Sequence, residues 1–282
     1  MNNVAGSVAL NLVIEVIKIV ISILKMNIID VNYIQKEYNM KNYNTIIKEL
    51  NLEDEKIINC YHYGSYVYNT HTEKSDYDFI IIYKNDNNEI LELNKRNNVN
   101  YENINANNQS DGIWSKDEQI QATIYSHSKF IEMIKEHKIE ALESIFLNNK
   151  YKLKETIDYK KYFELDLDKL RRSISAVCSN SYVKCMKKMT REHLKDTVRP
   201  KSYYDYIGKK SLFHSLRIGM YGIQVAKCGK INDYIKLNNK YTTMTLWDEI
   251  NTFKTWEELK NKYQNYANNI RSEFRIVAPL KK

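Results

Sequence analysis

The sequence predicts an α+β fold in which a small mixed β-sheet with flanking helices is followed by an all-helical region. Only 7 glycines and 2 prolines occur in 282 residues, which excludes collagen-like, linker-like and many-turned all-β architectures. Short segments rich in β-formers are confined to the first half of the chain. After Lys129 the hydrophobic period becomes helical. With 43% hydrophobic residues the chain can bury a substantial core.

An apolar stretch from Val8 to Leu24 predicts the first helix. Its polar residues recur at steps of three and four, which places them on one narrow stripe: Asn11, Glu15, Lys18, Ser22 and Lys25. The internal charges and the short apolar run argue against a membrane span or a signal peptide. We expect residues 1–28 to form an amphipathic helix that is buried in the core of this chain or against a second copy, which would make a homo-oligomer.

Three or four strands are predicted in the segment that follows. A helical pattern from Asn32 to Leu50 precedes Ile57 to Tyr63, which is short and rich in β-formers. Tyr77 to Tyr83 is a nearly unbroken apolar run and predicts a central strand covered on both faces. Ile120 to Tyr125 alternates well, whereas residues 98–105 alternate only weakly.

The remainder is predicted to be helical. Two short helices are expected around residues 129–147, and longer ones near residues 166–189, 203–228, 230–237 and 256–274. Gly229 suits the left-handed position that ends a helix. We therefore divide the chain into residues 1–28, an α/β domain of residues 29–155, and a helical domain of residues 156–282.

Charge and cysteine content favour some settings over others. The formal net charge of +8 favours a polyanionic partner such as RNA, DNA or a nucleotide, although a general enrichment in Lys, Asn, Ile and Tyr explains it equally well. The four cysteines form no CxxC pair and no zinc-ligand spacing with histidine. We read them as reduced thiols of a cytoplasmic protein.

The segment from Gly64 to Asp78 carries the most specific chemical pattern in the chain. A strand is predicted to end at Gly64, where a missing Cβ lets backbone approach a ligand, and Ser65 offers a hydroxyl and an N–H. This pair predicts a phosphate-binding turn. Asp76 and Asp78 stand two residues apart at the start of the apolar strand, so both side chains project to one face.

Paired carboxylates beside a phosphate-binding turn favour a particular reaction. Two adjacent like charges are unfavourable unless a cation lies between them, and oxygen ligands favour Mg²⁺ or Mn²⁺ over zinc. Metal-assisted phosphoryl or nucleotidyl transfer requires this combination. A loop followed by a strand with solvated acids is the alternative for Asp76 and Asp78 alone.

The segment resembles the signature of the DNA polymerase beta-like nucleotidyltransferases. In this sequence the likeness lies in Gly64-Ser65 and in Ser75-Asp76-Tyr77-Asp78-Phe79, followed by the apolar strand. Within that superfamily the chain is most similar to the predicted RNA-repair-pathway nucleotidyltransferases. The strong motif covers about residues 63–83, and a weaker likeness extends to about residue 233 through three further stretches, which are residues 123–130, 141–147 and 210–217.

The resemblance implies roles for individual residues. Gly64, Ser65 and Ser75 would bind the nucleotide phosphates, and Asp76 and Asp78 would ligate the metals. The family normally supplies a third carboxylate, and the alignment places Gln121 there. A neutral amide ligates Mg²⁺ weakly and accepts no proton. The resemblance therefore leaves open whether a site with Gln121 at this position is catalytically active.

Several further residues have two possible interpretations each. Lys129 either binds the triphosphate or is an ordinary solvent-exposed lysine of its helix. Lys210 and Arg217 share a helix face with His214, and this strip binds phosphate or is an ordinary basic face. The lysines of residues 184–188 form a solvated face or contact RNA. We expect Glu143 to be a hydrogen-bonded structural carboxylate on an apolar helix. Tyrosines around the motif stack on a base or pack in the core: Tyr61, Tyr63, Tyr66, Tyr68 and Tyr77.

These observations predict a metal-dependent nucleotidyltransferase. It would transfer a nucleoside monophosphate from an NTP, with ATP favoured, to a hydroxyl acceptor such as an RNA or tRNA end. One alternative is a catalytically impaired relative that binds nucleotide or RNA or acts as an interaction subunit. Transfer of AMP to a protein side chain is a second alternative, because it uses the same chemistry.

Overall fold

The computed structural model describes residues 41–73, 75–84, 111–114, 119–190 and 200–280, with backbone alone for residues 111–114. The predicted N-terminal helix and the weakly alternating residues 98–105 lie outside the described residues. The predicted homo-oligomer, which depends on that helix, stays a prediction. So does the division into three domains.

The fold is built on a five-stranded mixed sheet. The strands are β1 (Ile57–Tyr63), β2 (Tyr77–Tyr83), β3 (Asp111–Trp114), β4 (Ile120–Ser126) and β5 (Lys152–Glu155). Their order is β3-β4-β2-β1-β5. Only β2 and β4 run parallel among these neighbours, and the other pairs are antiparallel. The central position of β2 explains its continuous apolar run, because both of its faces are covered.

Seven α-helices accompany this sheet in the described part of the chain. They are α1 (Tyr43–Glu49), α2 (His127–Lys135), α3 (Ile139–Ile145), α4 (Leu167–Thr190), α5 (Lys201–Cys228), α6 (Thr243–Thr252) and α7 (Trp256–Val277). Helices α4 to α7 follow the sheet and form the helical region. The predicted α+β class, with a small mixed sheet followed by helices, is confirmed.

Local sequence explains where several helices begin and end. The Ser126 side chain accepts the Lys129 backbone N–H and begins α2 directly after β4. Thr255 and Glu258 form a reciprocal capping box at the start of α7. Gly229 ends α5 in a left-handed conformation, with φ of 71°, as the sequence predicts.

One hydrophobic core lies between the sheet and α1. Ile46, Ile47 and Leu50 of this helix pack on alternate residues of three strands, which include Cys60, Phe79, Ile81, Ala122 and Ile124. Burial of these side chains provides the main favourable free energy for this layer. Because β-strand side chains alternate between faces, Asp78 and Gln121 are left for the opposite face of the sheet.

The structure corrects one predicted helix and adds three elements. Residues 230–237 are not helical, because the Asp233 carboxylate accepts the N–H groups of Ile235 and Lys236 in a turn. Helix α6 follows instead. Strands β3 and β5 and helix α6 were not predicted, since short edge strands and a helix of ten residues leave weak periodic signals.

Two further observations concern the class of protein. None of the helices in the described ranges is long and apolar enough to cross a membrane. All four cysteines are free thiols, with Cys228 exposed and the other three buried. The cytoplasmic location stays a prediction.

Candidate active site

The turn after β1 is shaped by Gly64. A short 3₁₀ turn, Gly64–Tyr66, follows the strand directly, and Gly64 has a left-handed φ of 71°. A Cβ at this position would lie 2.1 Å from Oδ2 of Asp78. Only glycine therefore allows this backbone to lie against the carboxylate. The turn and the start of β2 are brought into direct contact.

The two aspartates of the motif lie close enough to affect each other. Asp78 is half-buried on β2, whereas Asp76 precedes the strand and is exposed. Burial raises the pKa of Asp78 to about 6, the Lys210 cation acts to lower it, and the Asp76 charge acts to raise it. Asp76, Asp78 and Lys210 therefore share one electrostatic environment.

Gln121 occupies the strand position next to Asp78. In the parallel pair of β2 and β4, Asp78 and Gln121 are direct partners, so their side chains lie on the same face of the sheet. The family resemblance implies a third carboxylate at the position of Gln121. The structure thus puts a neutral amide beside the carboxylate pair.

The donor set fits a hard divalent cation in part. Two carboxylates and an amide oxygen are oxygen ligands of the kind that Mg²⁺ and Mn²⁺ prefer. In the described residues no group of three His, Cys, Asp or Glu side chains could hold a metal ion. A cation here would depend on Asp76 and Asp78, with the remaining ligands coming from the nucleotide and water.

Hydrogen bonds fix the loop that joins the turn to β2. The carbonyl of Ser65 accepts the Thr70 N–H at 2.9 Å. Further along, the Ser75 hydroxyl accepts the Thr72 N–H at 2.9 Å. Ser75 therefore orients the backbone directly before Asp76. The predicted phosphate-binding roles of Ser65 and Ser75 stay predictions.

Aromatic rings hold the other side of the loop. Tyr66 is stacked between His71 and Tyr77, with centroid distances of 4.1 and 4.3 Å and interplanar angles of 15°. Tyr66 itself is buried. This stack packs the loop against the sheet. The sequence allowed these tyrosines either to stack on a base or to pack in the core, and the observed contacts of Tyr66 are packing contacts.

Glu143 braces both sides of the glycine turn. Its carboxylate accepts the Tyr63 hydroxyl at 2.6 Å and the Tyr68 hydroxyl at 3.0 Å, and it forms a buried ion pair with Arg217. Tyr63 and Tyr68 lie on either side of Gly64. The expectation that Glu143 is a hydrogen-bonded structural carboxylate is confirmed.

Arg217 lies inside this network, and Lys210 lies near Asp78. The Arg217 guanidinium stacks 3.6 Å above the Tyr68 ring, and 2% of its surface is exposed. His214 is also largely enclosed, and burial, followed by the charges of Arg217, Lys184 and Lys210, lowers its pKa to about 3. The predicted strip of cations therefore becomes buried along α5, with Lys210 at its exposed end.

Lys129 has an acidic partner on its own helix. Its ammonium pairs with Glu132 at 2.8 Å, one turn along α2. Both residues line a groove of about 1000 Å³, whose walls also include Tyr125 of β4 and Asp168 and Arg172 of α4. The predicted contact of Lys129 with a triphosphate stays a prediction.

One support of the loop carried no sequence signal. The hydroxyl of Thr243, at the start of α6, donates to the backbone carbonyl of Tyr68 at 2.5 Å. These residues are 175 positions apart in the chain. A contact of this range depends on tertiary structure, so no local pattern could have revealed it.

The mixed sheet, the glycine turn and the acidic pair all lie within one α+β part of the chain. Residues 40–163 match the family model described as the nucleotidyltransferase domain. This part of the chain is therefore a nucleotidyltransferase domain of the polymerase beta-like superfamily. The nearer likeness to the RNA-repair branch stays a prediction.

Two further comparisons complete the picture. No curated protein matches the chain. Among solved structures, it is similar to spectinomycin adenyltransferase AAD(9) from Enterococcus faecialis, solved with ATP and spectinomycin, at 14% identity. That match covers 74% of this chain and 95% of the other, with a TM-score of 0.28.

Proposed function

We propose that this chain transfers a nucleoside monophosphate from ATP or another NTP to a hydroxyl of an RNA or tRNA end. The contact between the Gly64 turn and the Asp78 carboxylate carries this proposal. It sets a turn with the backbone freedom to approach phosphate directly against an acidic pair. The nucleotidyltransferase domain match supports the same class of reaction.

The chain's own residues would position the reactants. The backbone around Gly64 and Ser65 would orient the triphosphate. The acceptor oxygen would then bond to the α-phosphorus, and pyrophosphate would leave with the electron pair of the bond that breaks. Because an amide accepts no proton, Gln121 would leave the hydroxyl proton to pass to water.

Asp76 and Asp78 would hold the divalent cation. When bound, Mg²⁺ or Mn²⁺ supplies neutralisation of the triphosphate charge and a lower pKa for the attacking hydroxyl. Lys210 would add a positive charge beside Asp78, where it reduces the negative charge that the site presents to a triphosphate.

The test uses the full chain with labelled ATP, Mg²⁺ or Mn²⁺, and either total RNA or a protein mixture. We expect label to enter RNA with the wild type and to be lost with Asp76→Asn. The Glu257→Gln variant, which changes an exposed acid in the first turn of α7, is the matched control and should keep activity. Label in protein alone would replace the RNA acceptor with an AMP-transfer reaction. If no label is incorporated with either metal, the proposed transferase activity is wrong.

A second candidate function rests on Gln121. An amide beside Asp78, where the family has a carboxylate, favours a chain that binds nucleotide or RNA with little catalysis. If so, Gln121→Asp should raise transfer by a large factor, whereas Gln121→Asn should leave it unchanged. Wild-type activity that falls with Gln121→Asp would contradict this second candidate.

A further inference from the structure

A surface of lysines and exposed tyrosines lies on α4 and α5. We call it the α4–α5 surface, and it consists of Lys184, Lys187, Lys188, Tyr203, Tyr206 and Lys210. On a helix of 3.6 residues per turn, the three lysines of α4 share one face, and Tyr203, Tyr206 and Lys210 share one face of α5.

Close packing of the two helices joins these faces. Gly208 of α5 lies against the Met189 side chain and the Cys185 carbonyl of α4, so the backbones approach closely. The Lys188 ammonium lies 5.1 Å above the Tyr204 ring. The basic face of α4 therefore reaches α5 at Tyr204, whose ring lies edge-to-face with that of Tyr203 at 5.4 Å.

The charge of this surface favours an anionic partner. Residues 184–190 and 201–210 contain lysines at positions 184, 187, 188, 201, 209 and 210, and Asp205 as the sole acid. Asp205 pairs at 3.8 Å with Lys201, which lies outside the α4–α5 surface. Evenly mixed charges would give no such preference.

The tyrosines add a feature that a merely solvated basic face lacks. Tyr203 is 39% exposed and Tyr206 is 48% exposed. Each ring has an edge-to-face neighbour that fixes its orientation, Tyr204 at 5.4 Å and Trp247 at 6.0 Å. Oriented, exposed rings interleaved with lysines provide stacking positions for unpaired bases.

The surface leads to the candidate active site. Lys210 is its last residue and lies two turns before Arg217 on α5. Arg217 pairs with Glu143, which accepts the hydroxyl of Tyr63 directly before Gly64, and the Lys210 charge also acts on the Asp78 carboxylate. Lys184 and Lys210 both act on His214, which places the two lysines around the same point of α5. Tyr203 is seven residues before Lys210, about 10 Å along the helix. This span suits two or three nucleotides before a reacting end.

We propose that the α4–α5 surface binds the single-stranded stretch of RNA next to the acceptor hydroxyl. The lysines neutralise backbone phosphates, and Tyr203 and Tyr206 stack on bases. This inference rests on the proposed function for its choice of RNA, and binding is measured separately from transfer.

The experiment measures the affinity of the full chain for a labelled single-stranded RNA of about 12 nucleotides by fluorescence anisotropy at several salt concentrations. The triple variant Lys184→Gln, Lys187→Gln and Lys188→Gln should bind at least about tenfold more weakly. Its salt dependence should flatten by about 2 in log–log slope, because three phosphate contacts are lost.

The tyrosine variant separates stacking from charge. Tyr203→Ala with Tyr206→Ala should weaken binding by about tenfold or more and leave the salt slope unchanged. As a charge-matched control, Lys160→Gln, Lys230→Gln and Lys260→Gln remove exposed lysines from other elements and should leave affinity within about twofold.

Four results would overturn the inference. They are wild-type affinity in both surface variants, an equal loss in the control triple, tighter binding of duplex RNA, and tighter binding of single-stranded DNA. Asp78→Asn distinguishes failure of the RNA-binding inference from failure of the proposed function, because this variant should abolish transfer and retain RNA binding. Binding without transfer would leave this inference standing and overturn the proposed enzyme instead.

Discussion

At the scale of single residues, the candidate site depends on the absence of a Cβ atom at Gly64. Gly64 has the same φ of 71° as Gly229, but their surroundings differ. A Cβ at residue 64 would collide with Asp78, whereas a Cβ at residue 229 would meet no atom within 4 Å. The pair therefore separates backbone strain from a steric effect on the site.

Gly64→Ala should reduce both nucleotide binding and transfer. The left-handed backbone costs roughly 1–2 kcal/mol for alanine, and the collision displaces Asp78. A displacement of about 1 Å at a reacting centre lowers rates by about 100-fold. ATP affinity by calorimetry and transfer of labelled nucleotide provide the measurements.

Gly229→Ala is the control for this substitution. It carries the same backbone cost, so its unfolding free energy should fall by about the same 1–2 kcal/mol. Its ATP affinity and transfer should match the wild type. Equal activity of the two variants would show that contact with Asp78 is irrelevant.

At the scale of elements, predictability followed the strength of the local pattern. The apolar run of β2 and the long periodic segments of α4, α5 and α7 were predicted with nearly correct bounds. The turn and the acid pair were also visible, since both lie within 15 residues of one another. Strand β5 was missed because its sequence, Lys152–Glu155, alternates little and pairs at an edge.

Parts of the site were beyond local sequence. Arg217 has helical spacing with Lys210, which suggested one cationic strip. The structure instead pairs Arg217 with Glu143, 74 positions away in the chain. Burial along a helix depends on what packs against each turn, and spacing alone does not contain that information.

Helix α5 offers a prediction in which two effects oppose each other. Gly222→Ala gains about 1 kcal/mol of helix propensity. However, the new Cβ would lie 2.8 Å from Ile174 Cγ2 and 3.1 Å from the Phe274 ring. Overpacking of a dense core costs about 1–3 kcal/mol. We expect a net loss of about 1 kcal/mol in the free energy of unfolding.

Chemical denaturation of Gly222→Ala and Ser179→Ala would test this balance. Ser179 is exposed on α4, so its substitution should gain a few tenths of a kcal/mol from propensity without any collision. A stabilised Gly222→Ala variant would mean that Ile174 and Phe274 yield without cost, and the close packing of α4, α5 and α7 would then be overstated.

At the scale of the whole molecule, a buried polar network joins the sheet to the helical region. Glu143 of α3 pairs with Arg217 of α5, and the two side chains are 1% and 2% exposed. The Glu143 carbonyl also accepts the Tyr234 hydroxyl at 2.5 Å. With Tyr63 and Tyr68, these groups form hydrogen bonds to one another between the strand end and the helices.

Removing one partner of this ion pair should be far more costly than removing both. Glu143→Ala leaves the Arg217 cation buried, which costs about 3–5 kcal/mol. The double variant Glu143→Leu with Arg217→Met leaves no buried charge, so its loss should be smaller than that of Glu143→Ala. Urea denaturation monitored by circular dichroism gives these values. The exposed pair of Lys227 and Glu273 also joins two helices, and Glu273→Ala should cost less than about 1 kcal/mol. A Glu143→Ala loss as small as that of Glu273→Ala would mean that water reaches Arg217 and that the network does not hold the two regions together.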